Sequence, residues 1–172
     1  SDRVAQYARE IGKRHGYSGS QQDEILMRGL LHDVGKIGIP DAVINKPGKL
    51  NDEEFEMIKD HPTIGAKILS KTPELAKLAM GARYHHERYD GTGYPEGLVG
   101  NAIPEEARII AVADAYDAMS SRRSYRGVLP QDVVRDEIEK GKGIQFDPEF
   151  ADIMLRMIDE DSGYTMSEHS EA

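Results

Sequence analysis

Residues 105–121 read EEARIIAVADAYDAMSS, and the fold class turns on them. From Glu105 to about Ser121 the pattern is that of a strong helix. Around Ala111-Val112-Ala113-Asp114-Ala115 it is almost wholly apolar. Asp114 is the exception. A carboxylate in such a setting must be paired or bound to a metal, because burying it alone is expensive. The plain alternative is a salt bridge to one of the arginines.

Helical periodicity continues in both directions. Upstream, Val4, Tyr7, Ala8 and Ile11 repeat at i, i+3, i+4, i+7, and Gly16 is the expected stop. Ser20 with Asp23 reads as the capping box of a second helix carrying Ile25, Leu26, Leu30 and Leu31. Gly35 to Pro40 breaks that pattern, and Pro47-Gly48 marks a turn. Asn51 or Asp52 caps a segment with Phe55, Met57 and Ile58. Pro62 suits a first helical turn ahead of Ile64, Ile68 and Leu69. Thr72-Pro73-Glu74 restarts a helix that carries Leu75, Leu78 and Ala79 to about His86. Residues 89–104, with four glycines and two prolines, form a loop. Further helices are expected near 130–140 and 148–159. No internal repeat is visible, and no segment alternates long enough for a convincing strand. The prediction is an all-α single domain over residues 1–160, a bundle of about seven to nine helices. An acidic flexible tail follows at 161–172.

Composition narrows the chemistry. The chain has 172 residues, enough for one domain with a substantial core. It has no cysteine, which excludes a disulfide scaffold, a thiolate metal site and a Cys nucleophile. That fits a reducing, cytoplasmic setting. The formal net charge is −9, a poor match for a nucleic acid polymer. A small anion can still be bound through a local basic pocket or metal ions. No apolar run approaches the roughly 20 residues of a membrane span, so no membrane contact is expected. No signal-peptide pattern is present. The chain opens at Ser1 without an initiator Met, as expected of a piece of a longer protein.

Four of the six histidines fall where chemistry is expected: His32 beside Asp33, His61 at a helix start, and the pair His85-His86. His15 lies in the last turn of the first helix, where a cation suits the dipole, and His169 lies in the tail. With Asp33 and Asp114 the four histidines make a nitrogen–oxygen donor set. Such a set suits Fe, Mn, Zn, Co or Ni. Six donors exceed the need of one catalytic ion. Two ions about 3.5–4 Å apart and sharing a carboxylate would use them, an arrangement suited to in-line displacement at phosphorus. Metal-assisted phosphoester hydrolysis follows from the residues alone.

The same residues resemble the HD-GYP family of the HD phosphohydrolase superfamily. The HD signature is His32-Asp33-Val34-Gly35-Lys36, continuing to Pro40. The second is His85-His86-Glu87-Arg88-Tyr89-Asp90-Gly91-Thr92-Gly93-Tyr94-Pro95. Ala107-Arg108-Ile109, Asp114-Ala115-Tyr116-Asp117-Ala118, Arg123-Ser124-Tyr125-Arg126 and Gly143-Ile144-Gln145-Phe146-Asp147-Pro148 follow in order. The resemblance covers about residues 3–159. It implies a bacterial phosphodiesterase that opens cyclic di-GMP to pGpG, in some members to GMP. It implies two divalent transition metal ions, Fe or Mn first and Zn, Co or Ni next, with Asp33 bridging them. His32 and Asp114 would serve one ion, and His61, His85 and His86 the other. Lys36 would contact a phosphate. Arg123 and Arg126, with Tyr125 between them, are candidate phosphate or guanine contacts. Tyr94 is either a wall of the pocket or a structural part of its loop. Asp117, on the face of Asp114, is a candidate for orienting a ligand.

The family also takes a His just before an Arg-Val pair in the first helix. Arg3-Val4 matches the pair, and the His would fall immediately before Ser1, so the N-terminal edge is expected to be truncated. An upstream sensory, receiver or GGDEF domain is a further expectation. Two other readings remain open on sequence. One is a phosphohydrolase acting on another cyclic dinucleotide or nucleotide. The other is an impaired module that binds nucleotide or partner domains without turnover.

Overall fold

The structure, a computed structural model, describes residues 1–123 and 125–168. His169 lies outside the described residues. Helix α1 (Asp2–His15) buries Val4, Tyr7, Ala8 and Ile11 and ends at Gly16, as its period indicates. His15 closes it with Nδ1 2.6 Å from Glu149. Helix α2 (Gly19–Leu31) starts at Ser18, not Ser20. Ser18 Oγ accepts from Gln21 N while the Gln21 side chain accepts from Ser18 N. A Gln at the third helical position reaches back to the cap, so the box forms two residues earlier than the Ser20–Asp23 reading placed it.

A 3-10 turn at Val34–Gly38 and the single turn α3 (Asp41–Ile44) follow. Asn51 caps α4 (Asp52–Ile58), with Glu54 completing a reciprocal box. Helix α5 (His61–Ser70) carries Pro62 in its first turn. The single helix expected from Pro73 to His86 is two, α6 (Pro73–Ala76) and α7 (Ala79–Tyr84). At the break, the Lys77 carbonyl accepts from Arg28 of α2. Helix α8 (Glu105–Ser120) is the buried apolar stretch, and α9 (Gln131–Gly141) and α10 (Pro148–Glu160) complete the bundle. Among the described residues there are only isolated β-bridges and no sheet, so the all-α expectation is borne out.

Two apolar clusters organise these helices. The larger joins α1, α2, α8, α9 and α10 through Ile11, Ile25, Ile110, Tyr116, Ile138 and Met154, all fully buried. Each such side chain contributes about 1.5–3 kcal/mol of hydrophobic stabilisation. The smaller joins α5 and α7 through Ala66, Leu69, Leu78, Ala79 and Ala82, with Leu31, Val34 and Leu75 of α6 against it.

Packing does not stop at residue 160, where the flexible tail was expected. Asp161 accepts from the amides of Thr165 and Met166. Tyr164 Oη donates to the Leu129 carbonyl at 2.8 Å, and Tyr7 Oη donates to that of Met166. The tyrosines supply the docking that a search for apolar periodicity overlooks.

Gly35 lets the HD turn sit directly on the start of α5. A Cβ on Gly35 would lie 1.9 Å from the His61 carbonyl oxygen and 2.5 Å from Gly65 N. Both neighbours are backbone, so neither moves without shifting a helix. We expect Gly35→Ala to cost about 3 kcal/mol, the upper range of overpacking. Urea unfolding checks this, and a midpoint equal to the parent's would show that the two backbones can separate freely.

Candidate metal centre

The site begins at helix ends. The last carbonyls of a helix lack intrahelical partners. His32, at the C-terminal end of α2, gives its Nδ1 proton to the Gly29 carbonyl at 2.6 Å. His85, at the end of α7, does the same to Ala82 at 2.8 Å. His61 opens α5 and donates to Ile58, the last residue of α4, at 2.6 Å. A carbonyl oxygen only accepts, so each ring carries a proton on Nδ1 and turns Nε2 inward as its ligand atom.

Those three Nε2 atoms surround one carboxylate. His61 Nε2 lies 3.2 Å and His85 Nε2 3.5 Å from Asp33 Oδ1. His32 Nε2 lies 3.1 Å from Asp33 Oδ2 and 3.5 Å from Asp114 Oδ1. Yet His32 Nε2 and Asp33 Oδ1 are buried without a hydrogen-bond partner. Close ligand atoms without hydrogen-bond partners, facing a common space, fit a metal ion. The donors form two sets, Asp33–His61–His85–His86 and His32–His85–Asp114, each with ligand atoms within 4.8 Å of one another. The cluster is thus compatible with divalent metal binding. His85 belongs to both sets, whereas the sequence reading put it in one. The two Asp33 oxygens face different imidazoles, as sharing between two centres requires.

Burial alone would raise the Asp33 carboxyl, but His32, His61 and His85 hold it well below the usual carboxylate range. Burial would likewise raise Asp114, and His32 brings it down to about 2. His32 is opposed by burial, yet Asp114 and Asp33 push it up to about 10. Burial, helped by His85, lowers His86 to about 3. The field that favours a proton on His32 Nε2 equally favours a metal cation.

A cavity of about 510 Å³ opens over this cluster. His32, Asp33, His61, His86 and Asp114 line its floor, with Arg3, Lys36 and Arg123 also in its wall. Lys36 Nζ is 3.0 Å from Asp33 Oδ2. The Arg126 guanidinium is spent on the carbonyls of Ala118 and Gly127. Tyr125 is exposed and lines a neighbouring pocket. Tyr94 stacks on His86, centroids 5.0 Å apart and planes 13° from parallel. Its peptide bond to Pro95 is cis. Asp117 bonds Arg3 at 2.7 Å and lies 3.8 Å from Arg123, so it braces two cations and orients no histidine.

The HD domain profile matches residues 1–150. The chain belongs to the HD domain family. It is 44% identical over 157 residues to a cyclic di-GMP phosphodiesterase response regulator of Xanthomonas campestris, covering 90% of this chain and 42% of that protein. A cyclic di-GMP phosphodiesterase of Thermotoga maritima is 44% identical, with coverage of 91% and 43%. A 3'3'-cGAMP-specific phosphodiesterase of Vibrio cholerae is 38% identical, with coverage of 92% and 31%. This HD domain therefore spans less than half the length of these curated relatives. Among solved structures, a cyclic GMP-AMP specific phosphodiesterase of Vibrio cholerae aligns with TM-score 0.70 and 21% identity over 94% of this chain and 44% of that one. An HD-GYP-type protein of Bdellovibrio bacteriovorus aligns with TM-score 0.74 and 19% identity, over 92% and 51%. The solved structures speak for the fold. Together with the relatives they bear out the HD-GYP resemblance.

One residue of this HD domain had no role on sequence. Glu87 is 3% exposed, and its carboxylate accepts from the amides of Glu96, Gly97 and Leu98 at 2.7, 3.2 and 3.0 Å. It ties the Tyr94 loop against the His85-His86 turn. Gly93 permits the approach, since a Cβ there would lie 2.3 Å from Arg88 N. The only signal in sequence was an acidic residue directly after two histidines. We expect Glu87→Ala to cost about 3 kcal/mol, as a buried charge-assisted network is lost. The amides of 96–98 should also lose hydrogen-exchange protection more than the rest of the chain, and uniform loss would deny this specific role.

Proposed function

We propose that this HD domain is a metal-dependent phosphodiesterase that hydrolyses cyclic di-GMP to pGpG, GMP or both, in bacterial second-messenger signalling. The observation that carries the reading is the convergence of inward-facing Nε2 atoms and buried carboxylate oxygens on the floor of an open cavity walled by Lys36 and Arg123. The names of the Xanthomonas and Thermotoga relatives support the substrate.

In this reading two divalent ions, iron or manganese, occupy the floor. Asp33 would serve both, His61, His85 and His86 would hold one, and His32 and Asp114 would hold the other. Bound ions supply polarised phosphoryl oxygens and an activated water at neutral pH. Lys36 faces the phosphate and offsets the charge that develops on it. Arg123 holds the substrate, and Tyr94 walls the site beside His86. Arg126 is retained in a supporting role behind Arg123, and Tyr125 at the substrate margin. The cytoplasm is the setting that supplies such a substrate, and no described helix is long and apolar enough to cross a membrane. An upstream sensory, receiver or GGDEF domain is part of the proposal, supported by the greater length of the relatives.

The test is turnover of cyclic di-GMP, 3'3'-cGAMP and cyclic di-AMP by iron- or manganese-loaded protein, with products separated by chromatography. Cyclic di-GMP should be consumed fastest; no consumption of any of the three would end the reading. Elemental analysis should show Asp33→Ala losing most of its metal and His61→Ala about half. Lys36→Ala should keep its metal and lose about 100-fold in kcat/KM, the scale of one lost electrostatic contact.

A further inference from the structure

Beside the metal cavity lies a second pocket, of about 620 Å³, lined by Gly48, Lys49, Leu50, Asp52, Phe55 and Tyr125. Two of its walls are aromatic and exposed, Phe55 at 48% and Tyr125 at 64%. Exposed rings facing one concavity are the usual platform for a flat ligand. The same three chain segments build both cavities. Ile44 lines the metal cavity, and Gly48 to Leu50, just downstream, line the pocket. Ile58 and Phe55 of α4 divide in the same way, as do Arg123 and Tyr125. Rings also connect them: Phe55 meets Tyr94 edge-on at 6.5 Å, and Tyr94 stacks on His86. Lys59 Nζ lies over both rings, 5.8 Å from Phe55 and 5.4 Å from Tyr94.

We propose that this pocket is a base subsite, in which Phe55 and Tyr125 stack a guanine of the substrate and Asp52 reads its edge. The inference rests on the phosphodiesterase reading and adds the group that selects the base. A purine attached to a phosphate over His86 extends past Tyr94 towards Phe55. Aromatic stacking accepts any base and gives affinity without choice. The choice comes from Asp52, whose carboxylate has no hydrogen-bond or ion-pair partner among the described residues. An ionised carboxylate only accepts. Guanine presents two adjacent donors, N1–H and the N2 amine, and satisfies both oxygens. Adenine puts the bare N1 acceptor beside its amine, and one carboxylate oxygen then faces a lone pair. Asp52 is exposed and water can reach its unpaired oxygen, so the rejection of adenine is modest, about tenfold.

The experiment titrates GMP and AMP into the protein by calorimetry, because the two share a phosphate and differ only in the base. GMP should bind about tenfold tighter than AMP. Asp52→Asn should weaken GMP about tenfold and tighten AMP, because the new amide nitrogen donates to adenine N1 while the remaining oxygen accepts from its amine, so the preference for GMP is lost. Phe55→Ala should weaken both nucleotides about tenfold, and Tyr125→Ala should repeat that result. These side chains are exposed, so circular dichroism should show each variant folded. In turnover, Phe55→Ala should raise KM for cyclic di-GMP. Equal GMP affinity in the parent, Asp52→Asn and Phe55→Ala would overturn the subsite. Cyclic di-GMP hydrolysis with those equal affinities would leave the phosphodiesterase reading standing without it. The expected nucleotide preferences without hydrolysis of any cyclic dinucleotide would do the opposite, keeping the subsite and removing the reaction.

Discussion

The Asp33 carboxylate is the constraint on which the rest of this HD domain depends. It is largely buried, and a buried charge needs partners that offset its desolvation. Three imidazoles and the Lys36 ammonium surround it, drawn from α2, the 3-10 turn, α5 and α7. Each must arrive within a few tenths of an ångström, so the packing of those elements is fixed by the needs of one side chain. Asp114, from the middle of α8, then closes the far side of His32.

Structure and chemistry share the same hydrogen bonds here. The ends of α2, α4 and α7 leave carbonyls unsatisfied, and His32, His61 and His85 each take one. Those bonds finish three helices and set three tautomers at once, leaving each Nε2 as the inward donor. A helix end with a different cap would satisfy the backbone equally well and lose the inward-facing Nε2. This explains why the histidines sit at the boundaries of α2, α5 and α7 rather than on their faces. It also explains why the site lies where the larger apolar cluster, with α2 and α8, meets the smaller one, with α5 and α7.

What was legible in the sequence followed chemistry that stays local. His32, Asp33, His61, His85, His86 and Asp114 were identifiable because few other pressures place imidazoles and carboxylates in apolar surroundings. The structure brings all six together. One helix start was legible at Pro62; for α4 the sequence left Asn51 and Asp52 as alternatives, and the reciprocal bonds with Glu54 select Asn51. The Ser18 cap was misplaced by two residues because two serines compete and only the Gln21 side chain decides between them. Glu87 escaped because its partners are amides nine to eleven residues away, with no side-chain pattern to announce them. Residues 161–168 escaped for a related reason: their docking uses tyrosine hydroxyls and an Asp161 turn, not an apolar stripe. At the split of α6 from α7 the Lys77 carbonyl accepts from Arg28, a residue of another helix that no local pattern announces.

A net charge of −9 is therefore a poor guide to the mouth of this site. The acidic groups near it lie behind the cations and position them. Asp117 is nearly buried at the wall, where it holds Arg3 and faces Arg123, so two guanidinium groups share one carboxylate. Glu168 approaches Arg3 from the other side and accepts the Arg122 amide, which ties the end of the described chain to its beginning. Such pairings cost each arginine part of its field but remove its freedom to swing away, and a positioned cation contributes more to an anionic ligand than a mobile one. Exposed charges more than about 10 Å away are screened at ordinary ionic strength. What an approaching phosphate meets is set by Lys36, Arg3 and Arg123 at the cavity wall, while the distant carboxylates that dominate the overall charge act mainly on solubility.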